Sequence, residues 1–225
     1  MIPLHDVTLE MIQAIKTGHE YLLEFYPDYD YRVKLNPSIF EGREDITNDT
    51  GIKQRAFNIW WAIRQCWMKS DIGIEFGSGG VKAPFCISTD YSAGLESDYG
   101  GRSNGCHFRV DLDRLDDAHG IGFWEPCMFA LILANHVMEH LERPYEALQF
   151  MAEITKQDGI IALIIPDHGK WDTMMHDKTH KHCWSADEFK EQFLNENSLK
   201  EMGLELLEFN TLDNNFSFDV VLRKI

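Results

Sequence analysis

Ile72-Gly73-Ile74-Glu75-Phe76-Gly77-Ser78-Gly79-Gly80 is the stretch on which the reading of this chain turns. A short apolar run with strand character stops abruptly at a cluster of glycines. Glycine lets the backbone turn tightly and approach a ligand without a Cβ clash. In open α/β sheets the ligand crevice lies outside the carboxyl ends of the strands. A glycine cluster alone is as readily an ordinary tight turn, so the next two strands decide. Phe85-Cys86-Ile87-Ser88-Thr89 ends at Asp90, and Phe108-Arg109-Val110 ends at Asp111. An acid closing the second strand suits two ribose hydroxyls, and Tyr91 beside it suits an adenine face. An acid closing the third suits an adenine amino group, with Leu112 against the ring. Taken singly, Asp90 reads as a turn cap with Ser92. Asp111 reads as one carboxylate of the solvated run 111–117. Glycines, acid and acid at three successive strand ends are less easily accidental than any one of them.

Downstream, Phe129 to Ala134 is entirely apolar, as in a central strand covered on both faces. Residues 143–157 read as a helix: Pro144 suits its first turn, Leu148, Met151 and Ile154 face inward, and Gly159 ends it. Ile160 to Ile165 is a fifth strand. Ser185-Ala186-Asp187-Glu188 is a capping-box pattern opening a helix to about Leu199. Leu204 to Phe209 and Phe216 to Arg223 are two strands joined by a turn at Asn214-Asn215, and the short connection makes them antiparallel. The expected fold class is α/β: a mostly parallel seven-stranded sheet, an antiparallel last strand, and helices on both faces.

Upstream the texture differs. Leu9, Ile12, Ile15, Leu22 and Phe25 recur with rough helical spacing. Pro27, Asp28, Asn36 and Pro37 then punctuate a loop-rich stretch. Phe57, Trp60, Ile63 and Trp67 form a helical stripe, read as core packing. Residues 1–70 are thus a mainly helical N-terminal extension or cap, expected to cover the cleft and set specificity, and 71–225 the main domain. A chain of 225 residues suits one α/β domain with an extension. A net charge of −16 repels phosphodiester backbones and anionic membranes, which disfavours generic nucleic-acid binding and membrane association. The five cysteines are odd in number and widely spaced, which argues against a disulfide framework or zinc knuckle. With no signal-peptide pattern and no run long enough to span a bilayer, a soluble cytoplasmic protein is expected.

From residue 72 to about 193 the chain resembles class I S-adenosylmethionine-dependent methyltransferases, whose domain is Rossmann-like. Ile74 to Gly80 resembles their first motif, an acid followed by GxG. Ile87-Ser88-Thr89-Asp90 and Val110-Asp111-Leu112 are similar to their second- and third-strand motifs. Asn135-His136-Val137-Met138-Glu139-His140-Leu141 looks like the segment after strand four in one broad subgroup. Ile164-Ile165-Pro166-Asp167 and His180-Lys181-His182-Cys183-Trp184-Ser185 resemble two further segments of that subgroup. Two departures stand out: Val81 replaces a third glycine, and Val81 to Pro84 is too short for the usual helix, which implies a cleft more open on one side. The resemblance implies S-adenosylmethionine as cofactor. It places Gly77, Ser78, Gly79 and Gly80 around the methionine moiety and Glu75 near its amino group. It places Asp90 and Tyr91 at the ribose and adenine, Asp111 and Leu112 at the adenine, and Asn135 in the cleft.

Methyl transfer demands alignment above all, so positioning supplies much of the rate. A hydroxyl acceptor also needs a base, and His136, Asp167 and His182 at or after strand ends are the candidates. A structural hydrogen bond is the plainer role for each. The partner expected is a small-molecule acceptor, hydroxylated or sugar-like by first preference. Other functions remain open. His136-Val137-Met138-Glu139-His140 matches HxxEH, a zinc metallohydrolase signature if both histidines share a helix. His176, His180 and His182 read as a substrate-lining loop, and no metal ligand is assigned. Pro126-Cys127 precedes strand four, which faces a cytosine-methylating thiol the wrong way. A dehydrogenase would need a helix after Gly80 for a pyrophosphate. A non-catalytic cofactor-binding module is the last alternative.

Overall fold

The computed structural model describes residues 54, 57–58, 61–67, 69–78, 82–83, 85–91, 106, 108–114, 124–211 and 216–225. Its seven strands are β1 Gly73–Phe76, β2 Cys86–Asp90, β3 Phe108–Arg109, β4 Phe129–Asn135, β5 Thr155–Pro166, β6 Leu204–Thr211 and β7 Ser217–Lys224. They form one sheet in the order β3-β2-β1-β4-β5-β7-β6. Strands β1 to β5 pair in parallel. β7 runs antiparallel to both β5 and β6 and is the one reversed strand. The mostly parallel sheet with its reversed last strand is the architecture expected from the sequence.

The apolar strands divide their side chains between two cores, because successive residues point to opposite faces. On β4, Ile132 and Ala134 enter one core while Leu131 and Leu133 enter the other. β5 does the same, with Ile161, Leu163 and Ile165 on one face and Ile160, Ala162 and Ile164 on the other. The first face is covered by α1 Pro144–Ile154, α3 Ala186–Phe193 and α4 Glu196–Met202. The second is covered by helical residues 57, 61 and 62 and a π-helical turn, Ile63–Trp67. There Phe57, Trp61, Ala62 and Cys66 are buried. Of the expected stripe, Phe57 is buried as core, with Trp61 and Cys66 beside it, while the side chains of Trp60, Ile63 and Trp67 lie outside those described. The helix expected over 8–25, the Asn214-Asn215 turn, Gly79 and Gly80 lie outside the described residues.

Two expected helices end earlier than their periodicity suggests. α1 stops at Ile154, where the Thr155 hydroxyl donates to Met151 O at 2.6 Å and the backbone becomes extended. Thr155 pairs with Phe129 and Ile160 with Leu131, so residues 156–159 bulge from β5. Gly159 therefore lies within the strand's irregularity instead of capping the helix. Helix α3 opens with the expected capping box: Ser185 Oγ accepts from Glu188 N, and Glu188 Oε2 accepts from Ser185 N. It ends at Phe193 because Asn195 starts a new helix, its Oδ1 accepting from Ser198 N at 3.0 Å. A four-residue turn of helix, α2 Thr173–His176, follows β5. No helix among the described residues is long and apolar enough to cross a membrane.

Candidate active site

β1 lies between β2 and β4, and the chain runs outward to β3 before returning to β4 on the other side. A parallel sheet opens a crevice at such a switch point, outside the carboxyl ends of its strands. Gly77 leaves β1 there at φ +63°. A Cβ on Gly77 would lie 2.4 Å from Val137 Cγ2, so the turn after β1 presses against the loop after β4. The next residue, Ser78, is buried and its N–H donates to Thr89 O at 3.0 Å, which ties the turn to β2.

Glu75, 2% exposed, braces the same turn from below. Its Oε2 accepts from Ala83 N at 2.8 Å and its Oε1 from Asn58 Nδ2 at 3.1 Å. Asn58 Oδ1 in turn accepts from Asn135 Nδ2 at 3.0 Å. A buried chain Glu75–Asn58–Asn135 thus joins the ends of β1 and β4 through the N-terminal helical segment. Asn135 Oδ1 is buried and has no hydrogen-bond partner among the described residues. Cys106 reaches the turn as well: its Sγ lies 3.1 Å from both Ser78 Oγ and Lys82 Nζ.

Asp90 ends β2, and its carbonyl accepts from Val110 N at 3.4 Å, which sets β3 beside it. Tyr91 follows with 58% of its surface exposed. Asp111 follows β3, its Oδ1 accepting from Asp113 N at 3.1 Å and its Oδ2 lying 3.7 Å from Arg114 Nε. Leu112 is packed into the sheet's core, so it supports this turn from beneath. Asp113 locks the turn to the β4 side: its Oδ1 accepts from Glu142 N and Arg143 N, and its Oδ2 lies 3.3 Å from Lys181 Nζ. Gly77, Asp90 and Asp111 therefore leave three adjacent parallel strands at the same edge of the sheet.

The three candidate bases are dispersed. His136 adopts φ +53°, a region non-glycine residues seldom occupy, and its N–H donates to Ile164 O at 2.8 Å. Its Nε2 lies 2.8 Å from Gln54 Nε2 and its Nδ1 3.4 Å from Glu139 Oε1. Asp167 is buried, and its Oδ1 accepts from Gly169 N and Ala186 N, so it holds the loop after β5. His182 stacks on Trp184 with centroids 4.8 Å apart. No hydrogen bond or ion pair joins these three to one another among the described residues. His136 and His140 do not share a helix either: Met138–His140 is a single 3-10 turn. The two-histidine helix face that a zinc hydrolase signature needs is absent there.

That turn instead gathers a different set. Glu139, 1% exposed, sits with its Oε1 3.9 Å from His140 Nε2 and 3.9 Å from His180 Nε2. Ligand atoms of these three residues lie within 4.8 Å of one another. The loop that brings His180 is held by the Glu139 carbonyl, which accepts from Lys181 N at 2.8 Å and His182 N at 3.1 Å. Burial pushes the His180 pKa down, against the pull of the Glu139 carboxylate. Sequence reading had the HxxEH residues and His180 in separate groups, and only the fold joins them.

The order β3-β2-β1-β4-β5-β7-β6 with β7 alone reversed is the sheet of class I methyltransferases. The chain has the class I methyltransferase fold. No family model matches its sequence, and no curated protein does. Solved structures of similar shape include an S-adenosylmethionine-dependent methyltransferase from Mesorhizobium loti, at 13% identity over 74% of this chain and 97% of that one, TM-score 0.49. A methyltransferase from Thermotoga maritima is 13% identical over 84% of this chain and 100% of that one, TM-score 0.48. The DszA carbon methyltransferase is 16% identical over 84% of this chain and 56% of that one, TM-score 0.47. What fixes the fold is the hydrogen-bonded strand order.

Among the candidate site residues, the resemblance to methyltransferase motifs leads to Glu75, Gly77, Asp90, Asp111 and Asn135. It does not lead to Asn58, whose amide bridges two motifs from 17 residues before Glu75. An asparagine buried within an apolar helical stripe is the signal that points to it, since a buried amide needs partners.

Proposed function

We propose that this chain is an S-adenosylmethionine-dependent methyltransferase acting on a small hydroxylated or sugar-like acceptor. The observation that carries the reading is the delivery of the Gly77 turn, Asp90 and Asp111 to one crevice by β1, β2 and β3. The fit is supported by Asn135 Oδ1, a buried acceptor without a partner at the β4 end of that crevice. Such an atom calls for a donor, and an ammonium group is one.

In this assignment the Gly77 turn, with Ser78, lies along the methionine moiety. Asn135 accepts from its amino group. Glu75 is a positioning residue, because its two oxygens already hold Asn58 and the Ala83 amide. Asp90 accepts from the ribose hydroxyls and Tyr91 lies beside the adenine. Asp111 faces the adenine amino group, on a turn that Leu112 seats in the core. The cofactor supplies a methyl group on a sulfonium, to be displaced in line. The protein's contribution is to orient the acceptor against it and exclude water. For a hydroxyl acceptor, His136 is the best placed of the three candidate bases. It directly follows Asn135, the last residue of β4, whereas Asp167 Oδ1 is occupied by two backbone amides and His182 is stacked on Trp184. To act as a base, His136 Nε2 exchanges the hydrogen bond from the Gln54 amide for one from the acceptor.

Calorimetry with S-adenosylhomocysteine tests this. The wild type is expected to bind, and Asp90→Ala to bind about 10- to 100-fold more weakly, the worth of hydrogen bonds to a charged group. Absence of binding by folded wild type, or equal affinity in the variant, would refute the assignment.

A further inference from the structure

We propose that Glu139, His140 and His180 hold a divalent transition-metal ion, zinc by first preference, with one coordination position open beside His136. A tetrahedral ion with metal–ligand bonds of about 2.1 Å separates its ligand atoms by about 3.4 Å. The Glu139 oxygen lies 3.9 Å from each of the two imidazole nitrogens, and all three ligand atoms lie within 4.8 Å of one another, so a contraction of about half an ångström on the carboxylate pairs, and of at most about 1.4 Å between the imidazoles, closes the site. Two imidazoles and one carboxylate are the donor set of an open, catalytic zinc site, and imidazole disfavours magnesium and calcium.

The hydrogen bonding around the cluster points the same way. Thr179 Oγ1 donates to Asp177 Oδ1 at 2.6 Å, so at 3.0 Å it must accept from His140 Nδ1. His140 Nδ1 therefore carries the proton, and in the neutral ring the Nε2 lone pair faces the Glu139 carboxylate. A lone pair opposite an anion repels it unless a cation stands between them. At 3.9 Å the pair is also too long for a hydrogen bond. Both Glu139 oxygens are buried without a hydrogen bond among the described residues, an arrangement costly for a carboxylate with no other compensation. A carboxylate–hydroxyl–histidine relay of this kind is how metal-binding imidazoles are oriented from behind.

His136, 3.4 Å from the same Glu139 oxygen but outside the set of three, borders the remaining position. A metal there acidifies a bound hydroxyl or water. The open position accordingly takes an oxygen donor, which, resting on the methyltransferase reading, is the acceptor's hydroxyl. The site also explains why the loop carrying His180 is fastened to the Glu139 carbonyl by two backbone amides.

The full chain, stripped with a chelator, is titrated with zinc by calorimetry and with cobalt(II) by visible absorption. One zinc per chain is expected, together with a cobalt spectrum of nitrogen and oxygen ligands only. His180→Ala and Glu139→Gln should each weaken zinc binding by at least about 100-fold, and Thr179→Val by about 10- to 100-fold as an orienting group. Failure of the wild type to take up zinc overturns the site, as does a sulfur-to-cobalt charge-transfer band, which would bring in Cys183. The wild-type cobalt spectrum decides even if a variant does not fold. S-adenosylhomocysteine binding is measured on the same stripped and loaded samples. Zinc uptake without nucleoside binding leaves the metal site standing and sinks the methyltransferase reading, and the converse sinks the metal site alone.

Discussion

Replacing Gly77 by alanine meets two penalties that can be measured apart. The first is conformational. Gly77 sits at φ +63°, and an L-residue in the left-handed region costs about 1–2 kcal/mol. The second is steric. The new Cβ would lie 2.4 Å from Val137 Cγ2, where carbon atoms normally rest about 3.5–4.0 Å apart. Either the turn after β1 or the loop after β4 must shift by more than about 1 Å, and overpacking of that order costs about 1–3 kcal/mol. Gly77→Ala should thus destabilise the fold by about 2–5 kcal/mol. Val137→Ala removes Cγ2 and leaves Val137 Cβ, which is 3.8 Å away and in ordinary contact. In that background Gly77→Ala should cost only the conformational part, about 1–2 kcal/mol. Urea unfolding of the wild type, both single variants and the double variant gives the coupling directly. A coupling of about 1–3 kcal/mol is expected. A coupling within about 0.5 kcal/mol of zero, the scatter of independent sites, would show that the two turns do not press on each other.

Asn58→Ala deletes the amide that bridges Glu75 and Asn135 in a buried setting. A loss of about 2–4 kcal/mol in urea unfolding is expected, together with weaker S-adenosylhomocysteine binding, because two buried polar groups lose a partner; unchanged stability would remove Asn58 from the site's scaffold. Asp219, which pairs with Ile164 on the far side of β5 from Asn135, provides a pH test. Burial pushes its carboxyl up to about 6, an effect that Glu208 adds to and the Asn210 amide opposes. Below about pH 4 both the folded and unfolded chains carry the proton there; between about pH 4 and 6 only the folded chain does. This group therefore makes the fold less stable as pH rises through that window, by at most about 3 kcal/mol, and the penalty persists above it. Asp219→Asn should erase the effect and stabilise the protein at neutral pH. A wild-type-minus-variant stability curve that is flat from about pH 4 to 7 would contradict this.

The sheet was legible because its strands announce themselves by composition. Phe129 to Ala134 has no polar residue, and a strand of that kind can only lie in the middle of a covered sheet. It does, between β1 and β5. The helix ends were less legible, since periodicity continues past the residue that breaks the helix. The capping box at Ser185 opens a run that continues to about Leu199, yet Asn195 caps a second helix because its side chain offers an acceptor to the Ser198 amide. Likewise Gly159 looks like a helix stop, but Thr155 has already turned the backbone out of the helix by bonding its hydroxyl to Met151 O.

The segment after β4 shows why a local pattern can name the right atoms and the wrong geometry. His136-Val137-Met138-Glu139-His140 sets two histidines four residues apart, a spacing that brings both to one metal on a shared helix. The backbone refuses that helix at its first residue: His136 is in the left-handed region and its amide is spent on Ile164 O. The chain then completes a single 3-10 turn, which buries Glu139 and swings His140 to its side. Once Glu139 is buried, its charge must find partners within reach, and His136 and His140 lie beside it in sequence. A further one comes from His180, forty-one positions on, delivered by a loop whose amides bond the Glu139 carbonyl. A separation of that length carries no spacing signal, because the intervening α1 and β5 set it by their own lengths. The buried carboxylate is thus the physical reason that two histidine groups, separate in sequence, belong to one site.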